Sequence, residues 1–177
     1  MSKRKRMMCM VAMAFVIGGV FGFIYEELFY RIDLGYFVKR GTTFGPWIPI
    51  YGFGAAGMLF LPKKLKENKF FLFLGAALLA GVLEFLTGWV LYEFFGGLRL
   101  WDYNVEIWNW GNIGGYVCFR SVALFGMCGI IMCCIIEPLL NKFLDKTESR
   151  KAQVIAFLPA GLFVFDIVCS LLVKAIG

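Results

Sequence analysis

Apolar residues run almost unbroken over residues 7–25, 46–61, 70–92, 112–136 and 152–173, and charged residues gather in the gaps between these runs. A helix needs about 20 apolar residues to cross the roughly 30 Å hydrocarbon core of a bilayer. Lipid offers no water to backbone N–H and C=O groups, so the helix, which pairs them internally, is the natural form of such a run. The pattern predicts an all-α, polytopic transmembrane helix bundle of about five spans, forming a single membrane domain.

The runs are not alike. The first carries Gly18 and Gly22, a small-xxx-small spacing that lets another helix approach closely. It follows the basic Lys3-Arg4-Lys5-Arg6, but it is long for the apolar part of a signal peptide and no small-residue cleavage site follows. A retained span is expected. Glu26 to Arg40 mixes charged with aromatic and aliphatic residues, as a helix end continuing into an interfacial amphipathic segment would. The second run is short and rich in Gly and Pro: Pro46, Pro49, Gly52, Gly54 and Gly57. Such residues at membrane depth need neighbouring protein or water to satisfy the freed backbone. A helix with an irregular start is expected there, with a partly re-entrant element as the alternative. Residues 93–111 read as a polar, aromatic loop around Trp101-Asp102-Tyr103, and the last run contains Pro159.

Composition supports the bilayer as solvent. The chain is 60% hydrophobic and 17% charged, against about half and a quarter in soluble domains. A single core of 177 residues cannot hide that much apolar surface. The net charge of +6 is distributed by topology. Of 18 basic residues, 12 lie in the N-terminal segment (Lys3, Arg4, Lys5, Arg6), the second gap (Lys63, Lys64, Lys66, Lys69) and the fourth (Lys142, Lys146, Arg150, Lys151). With five spans these segments share one side, which the positive-inside rule makes the cytoplasm of a cell-membrane protein. The N-terminus is then inside and the C-terminus outside. Trp47, Trp89, Trp101, Trp108 and Trp110 all fall at or beyond the opposite face. No nucleic-acid motif accompanies the charge, so nucleic acid is not an expected partner. The six cysteines show no metal-site spacing. The chain has no histidine, which removes Ser-His-Asp and Cys-His triads, H-E-x-x-H zinc sites and histidine relays. No cofactor or metal is expected.

Three ionisable residues, Glu84, Arg120 and Asp166, fall inside apolar runs. Each costs roughly 2.5 kcal/mol or more within a span unless it is partnered or wet. At 1.5 Å per residue, Glu84 and Asp166 lie about 21 Å, and Arg120 about 20 Å, above the cytoplasmic edge. Arg120 is expected to pair with Glu84, with Asp166 a second candidate acid, because the guanidinium fork binds carboxylates while staying charged. Thr87 shares the helical face of Glu84 and Tyr92 lies close to it. Ser121 follows Arg120, while Asp102, Tyr103 and Asn112 belong to the outer loop region. Together these residues form a candidate substrate or ion pocket in the outer half of the bilayer. The alternative is an ion-pair network that only fixes helix packing.

Several stretches resemble the CmpB-like family of type IV ABC-transporter permeases. The resemblance rests on Pro49-Ile50-Tyr51-Gly52-Phe53-Gly54, on Glu84 followed by Thr87-Gly88, on Trp101-Asp102-Tyr103, and on Asn112-Ile113, Gly115 and Cys118-Phe119-Arg120-Ser121. It implies a membrane permease working with an ATPase, and it brings no catalytic residues. The chain has no G-x-x-x-x-G-K-[ST] motif, so the ATPase would be a separate polypeptide. About five spans are few for a complete pore, and a homo-oligomer or further subunits are expected. A transport component is the leading expectation, and a non-catalytic scaffold or sensor is the second. An intramembrane enzyme acting on a lipid or lipid-linked substrate comes last, with Glu84, Asp102 or Asp166 as base and Arg120 holding a phosphate.

Overall fold

Ser2 starts the first helix by accepting a hydrogen bond from the Lys5 N–H at 3.3 Å, an N-cap arrangement. Helix α1 (Lys3–Leu34) ends at Gly35, whose φ of 83° supplies the left-handed C-cap. The computed structural model describes residues 1–176. It continues with α2 (Pro49–Met58), α3 (Lys63–Glu67), α4 (Lys69–Phe94), α5 (Phe119–Ile131), a π-helical turn (Met132–Ile136), α6 (Glu137–Lys146) and α7 (Ser149–Ile176). Among the described residues the extended pairing is limited to one isolated bridge, Ile113 to Val117.

Among the described residues, four helices are long and apolar enough to cross a membrane: Lys3–Leu34, Lys69–Phe94, Phe119–Lys146 and Ser149–Val173. The expected second span is represented by α2, whose 10 residues rise about 15 Å, half of a ~30 Å core. The expected fourth span begins seven residues late. Residues 114–116 are a turn closed by the Ile113–Val117 bridge, with Gly114 and Gly115 at φ of 62° and 81°, so the helix starts at Phe119.

The chain divides into two compact units. One comprises Met1–Leu59 and the chain from Ile135 onward, which contains α1, α2, α6 and α7. Here α2 runs antiparallel to α1 at close range. A Cβ on Gly18 would lie 2.5 Å from Ala55 Cβ and 2.6 Å from the Tyr51 carbonyl oxygen, and one on Gly22 would collide with the Tyr51 ring. From the other side, a Cβ on Gly52 would lie 2.7 Å from the Phe15 carbonyl oxygen. Phe15, Ala56 and Phe163 form the core of this unit, with Trp47 stacked on Phe163 at 4.8 Å.

Gly22→Leu should therefore push α2 away from α1 and destabilise the protein by about 3 kcal/mol. Gly161 on α7 faces open space, so Gly161→Ala serves as the control. Thermal unfolding of both variants in detergent, followed by circular dichroism, checks the pair; an unchanged Gly22→Leu midpoint would contradict the close approach.

The second unit, Phe60–Cys134, is built on α4 and α5. Asn68 caps α4, its side-chain oxygen accepting from Phe70 N–H at 2.9 Å. The buried residues of α4 are Leu72, Ala76, Ala80, Glu84 and Gly88, one in every four, and they form a single stripe. Leu74, Leu78, Val82 and Leu86 are exposed along the same helix, as a face turned to lipid should be. The facing residues on α5 include Ser121, Phe125, Gly126 and Gly129. Small residues on both helices permit close packing, and a Cβ on Gly126 would meet the Phe73 ring at 2.6 Å.

Candidate functional site

The stripe on α4 that packs against α5 has one charged member, Glu84. It is only 5% exposed, so its carboxylate requires donors. Ser121 and Tyr103 supply them. Ser121 is the third residue of α5 and takes part in a reciprocal cap: its hydroxyl oxygen accepts from Cys118 N–H at 3.3 Å. The same hydroxyl donates to Glu84 Oε2 at 2.8 Å. Tyr103 reaches in from the loop between α4 and α5 and donates to Glu84 Oε1 at 2.6 Å.

Arg120 meets a different acid in an ion pair. Its Nη2 lies 2.5 Å from Glu106 Oε2, and both side chains are largely buried. The guanidinium carbon stands 5.5 Å from the centre of the Tyr103 ring, within cation–π range. Tyr103 thus links two charged groups, with its hydroxyl on Glu84 and its face toward Arg120. A change of charge at Glu84 would be felt at Arg120 through a buried, poorly screened path. Burial first, and then the negative charge and acceptor oxygen of Glu84, push the Tyr103 phenol well above its usual 10.0. Tyr103 stays protonated and keeps donating.

The loop that delivers Tyr103 and Glu106 is held by its own side chains. Asp102 accepts from Asn104 N–H at 3.0 Å and from Asn104 Nδ2 at 2.7 Å, an Asx turn. Asn112 donates to Asn104 Oδ1 at 2.7 Å and accepts from Gly115 N–H at 2.8 Å. Tyr103 N–H donates to Gly115 O at 3.1 Å. Gly115 itself, at φ 81°, has no room for a Cβ between Arg99, Asn104 and Asp102. Arg99 lies 4.7 Å from the Tyr92 ring centre and 5.1 Å from that of Tyr116, and donates to Gly114 O at 3.1 Å.

The structure therefore gathers Glu84, Tyr103, Ser121 and Arg120 into one buried hub, with Asp102, Asn112 and Tyr92 in the loop lattice above it. Thr87 is half-buried on α4 and contributes no hydrogen bond to this lattice among the described residues. Glu106 was not among the residues expected from sequence. Its signal is an acid set among Val105, Ile107 and Trp108. Asp166 belongs to the other unit and is engaged there. It accepts from Phe44 N–H at 3.0 Å, Gly45 N–H at 2.7 Å and Trp47 Nε1 at 2.6 Å. Among the described residues no group of three or more His, Cys, Asp or Glu side chains is placed to hold a metal ion.

Apolar helices with lipid-type faces, a buried polar hub and a folded loop between α4 and α5 define a multi-pass membrane protein. Residues 13–171 match the family model described as "Putative ABC-transporter type IV", and the chain belongs to that family. No match to the chain was found among curated proteins or among solved structures.

Proposed function

We propose that the chain is the membrane-embedded component of a transporter, energised by an ATPase on a separate polypeptide. The observation that carries this reading is the buried carboxylate of Glu84, set within an apolar helix and met by two hydroxyl donors rather than by hydrocarbon. Ionisable groups in spans commonly mark ion or substrate paths. The polar site comprises Glu84, Tyr103, Ser121, Arg120 and Glu106, and Thr87, Tyr92, Asp102 and Asn112 line its outer approach. A change in protonation or ion occupancy at Glu84 would pass through Tyr103 to Arg120.

The reading includes five crossings, with the N-terminus in the cytoplasm and the C-terminus outside. Ile48 N–H donates to Gly19 O at 2.9 Å, and α2 then runs back along α1. The second crossing is made of a non-helical outer half and a helical inner half. Asp166 satisfies backbone N–H groups in the non-helical part, as such a segment needs within a bilayer. Arg6 on α1 bonds Asn141 and Asp145 on α6, which puts the N-terminal and the α6–α7 basic segments at the same end.

Two measurements test the function. Gentle detergent purification followed by mass spectrometry should recover a stoichiometric ATPase subunit; recovery of the chain alone would remove the energised-transport reading. In cells lacking the chain, Glu84→Gln should insert normally yet fail to restore the wild-type metabolite profile. Full restoration would favour the second reading, a non-catalytic scaffold. That reading draws on the loop lattice, in which Asp102, Asn104 and Asn112 satisfy one another.

A further inference from the structure

One end of the first unit carries a dense group of exposed cations. Arg6 is the clasp that assembles it: Nε and Nη2 donate to Asn141 Oδ1 at 3.0 and 2.8 Å, and Nη1 reaches Asp145 at 2.5 Å. The first turn of α1 is thereby seated beside α6. Lys3, Arg4 and Lys5, all exposed, join Lys142 and Lys146 on α6. Arg150 and Lys151, also exposed, follow on the first turn of α7. Of the acids there, Asp145 is held by Arg6 and Glu148 lies 3.7 Å from Lys151.

Two features of this placement bear on its chemistry. The cations of α1 and α7 sit in the first turns of their helices, where the macrodipole is positive, and neither turn contains an acid. That arrangement opposes helix stability and strengthens attraction for an anion. The charges also stand directly on lipid-type surface: Met7 and Met8 follow the α1 cluster, and Val154 and Ile155 lie within about a turn of Lys151, all exposed. A cationic collar above an aliphatic one matches the boundary between phosphate headgroups and acyl chains.

We infer that this end is a binding surface for anionic phospholipid, taking the phosphodiester headgroups of one leaflet. It is separate from the Glu84 hub and does not depend on the transport reading.

The test uses the full-length protein in neutral detergent, titrated with phosphatidylglycerol, phosphatidylcholine or inorganic phosphate, with retained lipid counted by native mass spectrometry. Phosphatidylglycerol should be retained selectively, and added salt should weaken its retention. The combined variant Lys3→Gln, Lys5→Gln, Lys142→Gln and Lys146→Gln should lower its affinity at least about tenfold, with phosphatidylcholine retention unchanged. If that variant fails to fold, Arg150→Gln with Lys151→Gln reads the same surface and should show a smaller loss in the same direction. Equal retention of the two lipids, undiminished retention in the folded variants, or competition by free phosphate at equal concentration would each overturn the assignment. So would an acidic protein bound at this end with no preference among lipids.

Discussion

Asp166→Ala should destabilise the protein by roughly 3–5 kcal/mol, because it removes the acceptor of three hydrogen bonds at once. Two of the donors are backbone N–H groups, at Phe44 and Gly45, and the third is the Trp47 indole. None belongs to a helix, since residues 41–48 are bends and extended chain. Water could replace the carboxylate only if it reached this depth. The loss should therefore be larger in a bilayer than in detergent. Asp166→Asn keeps one acceptor oxygen but turns an NH2 toward a donor, so it should lose more than half of the same stability. In detergent the alanine variant should unfold about 10 °C lower, and hydrogen exchange at residues 41–48 should rise before that of α1. Midpoints within 2 °C of wild type for both variants would show that these bonds do not hold the segment.

The same segment shows how far hydropathy reads a fold. Lys69–Phe94 and Ser149–Val173 were legible because an unbroken apolar run in lipid leaves the backbone no alternative to a helix. Gly18 and Gly22 were legible as a contact surface, and α2 is what lies on them. The length of α2 was not legible, because an acid far along the chain replaces the helical hydrogen bonds of residues 44 and 45. The start of α5 is not legible for a related reason. Residues 112–118 are mostly apolar, but Gly114 and Gly115 adopt positive φ, and average hydropathy carries no information about backbone sign.

The hub divides in the same way. Glu84 and Arg120 stood out because a charge inside an apolar run is costly and demands an explanation. Depth along a helix suggested which acids share a level. It could not say which side of the helix each faces, nor which unit each belongs to. Depth alone groups Asp166 with Arg120, whereas its three donors lie in residues 44–47. Glu106 gives no such signal, because loops tolerate charge and its position carries no penalty to read. Only the fold of the loop, pinned by Asn104, Asn112 and Gly115, delivers Glu106 to Arg120.

Glu84→Ala should cost roughly 3–5 kcal/mol, since it opens a cavity and removes the acceptor of both the Tyr103 and Ser121 hydroxyls in a buried site. Tyr103→Phe keeps the ring beside Arg120 and removes only the donor, for about 1.5–3 kcal/mol. The double variant should fall short of the sum by at least about 1 kcal/mol, because the two changes break the same bond. A pH titration isolates the phenol. Its pKa in the folded protein is well above 10.0, so between that value and 10.0 the unfolded chain loses the Tyr103 proton while the folded chain retains it. Fewer protons on the unfolded state mean that stability falls as pH rises through this window and is fully present below it. Wild type should therefore lose stability above pH 10 more steeply than Tyr103→Phe, which has no phenol at this position to ionise. Parallel curves for the two proteins, together with additive single effects, would mean that the hydroxyl does not engage Glu84 and that the hub is not coupled as described.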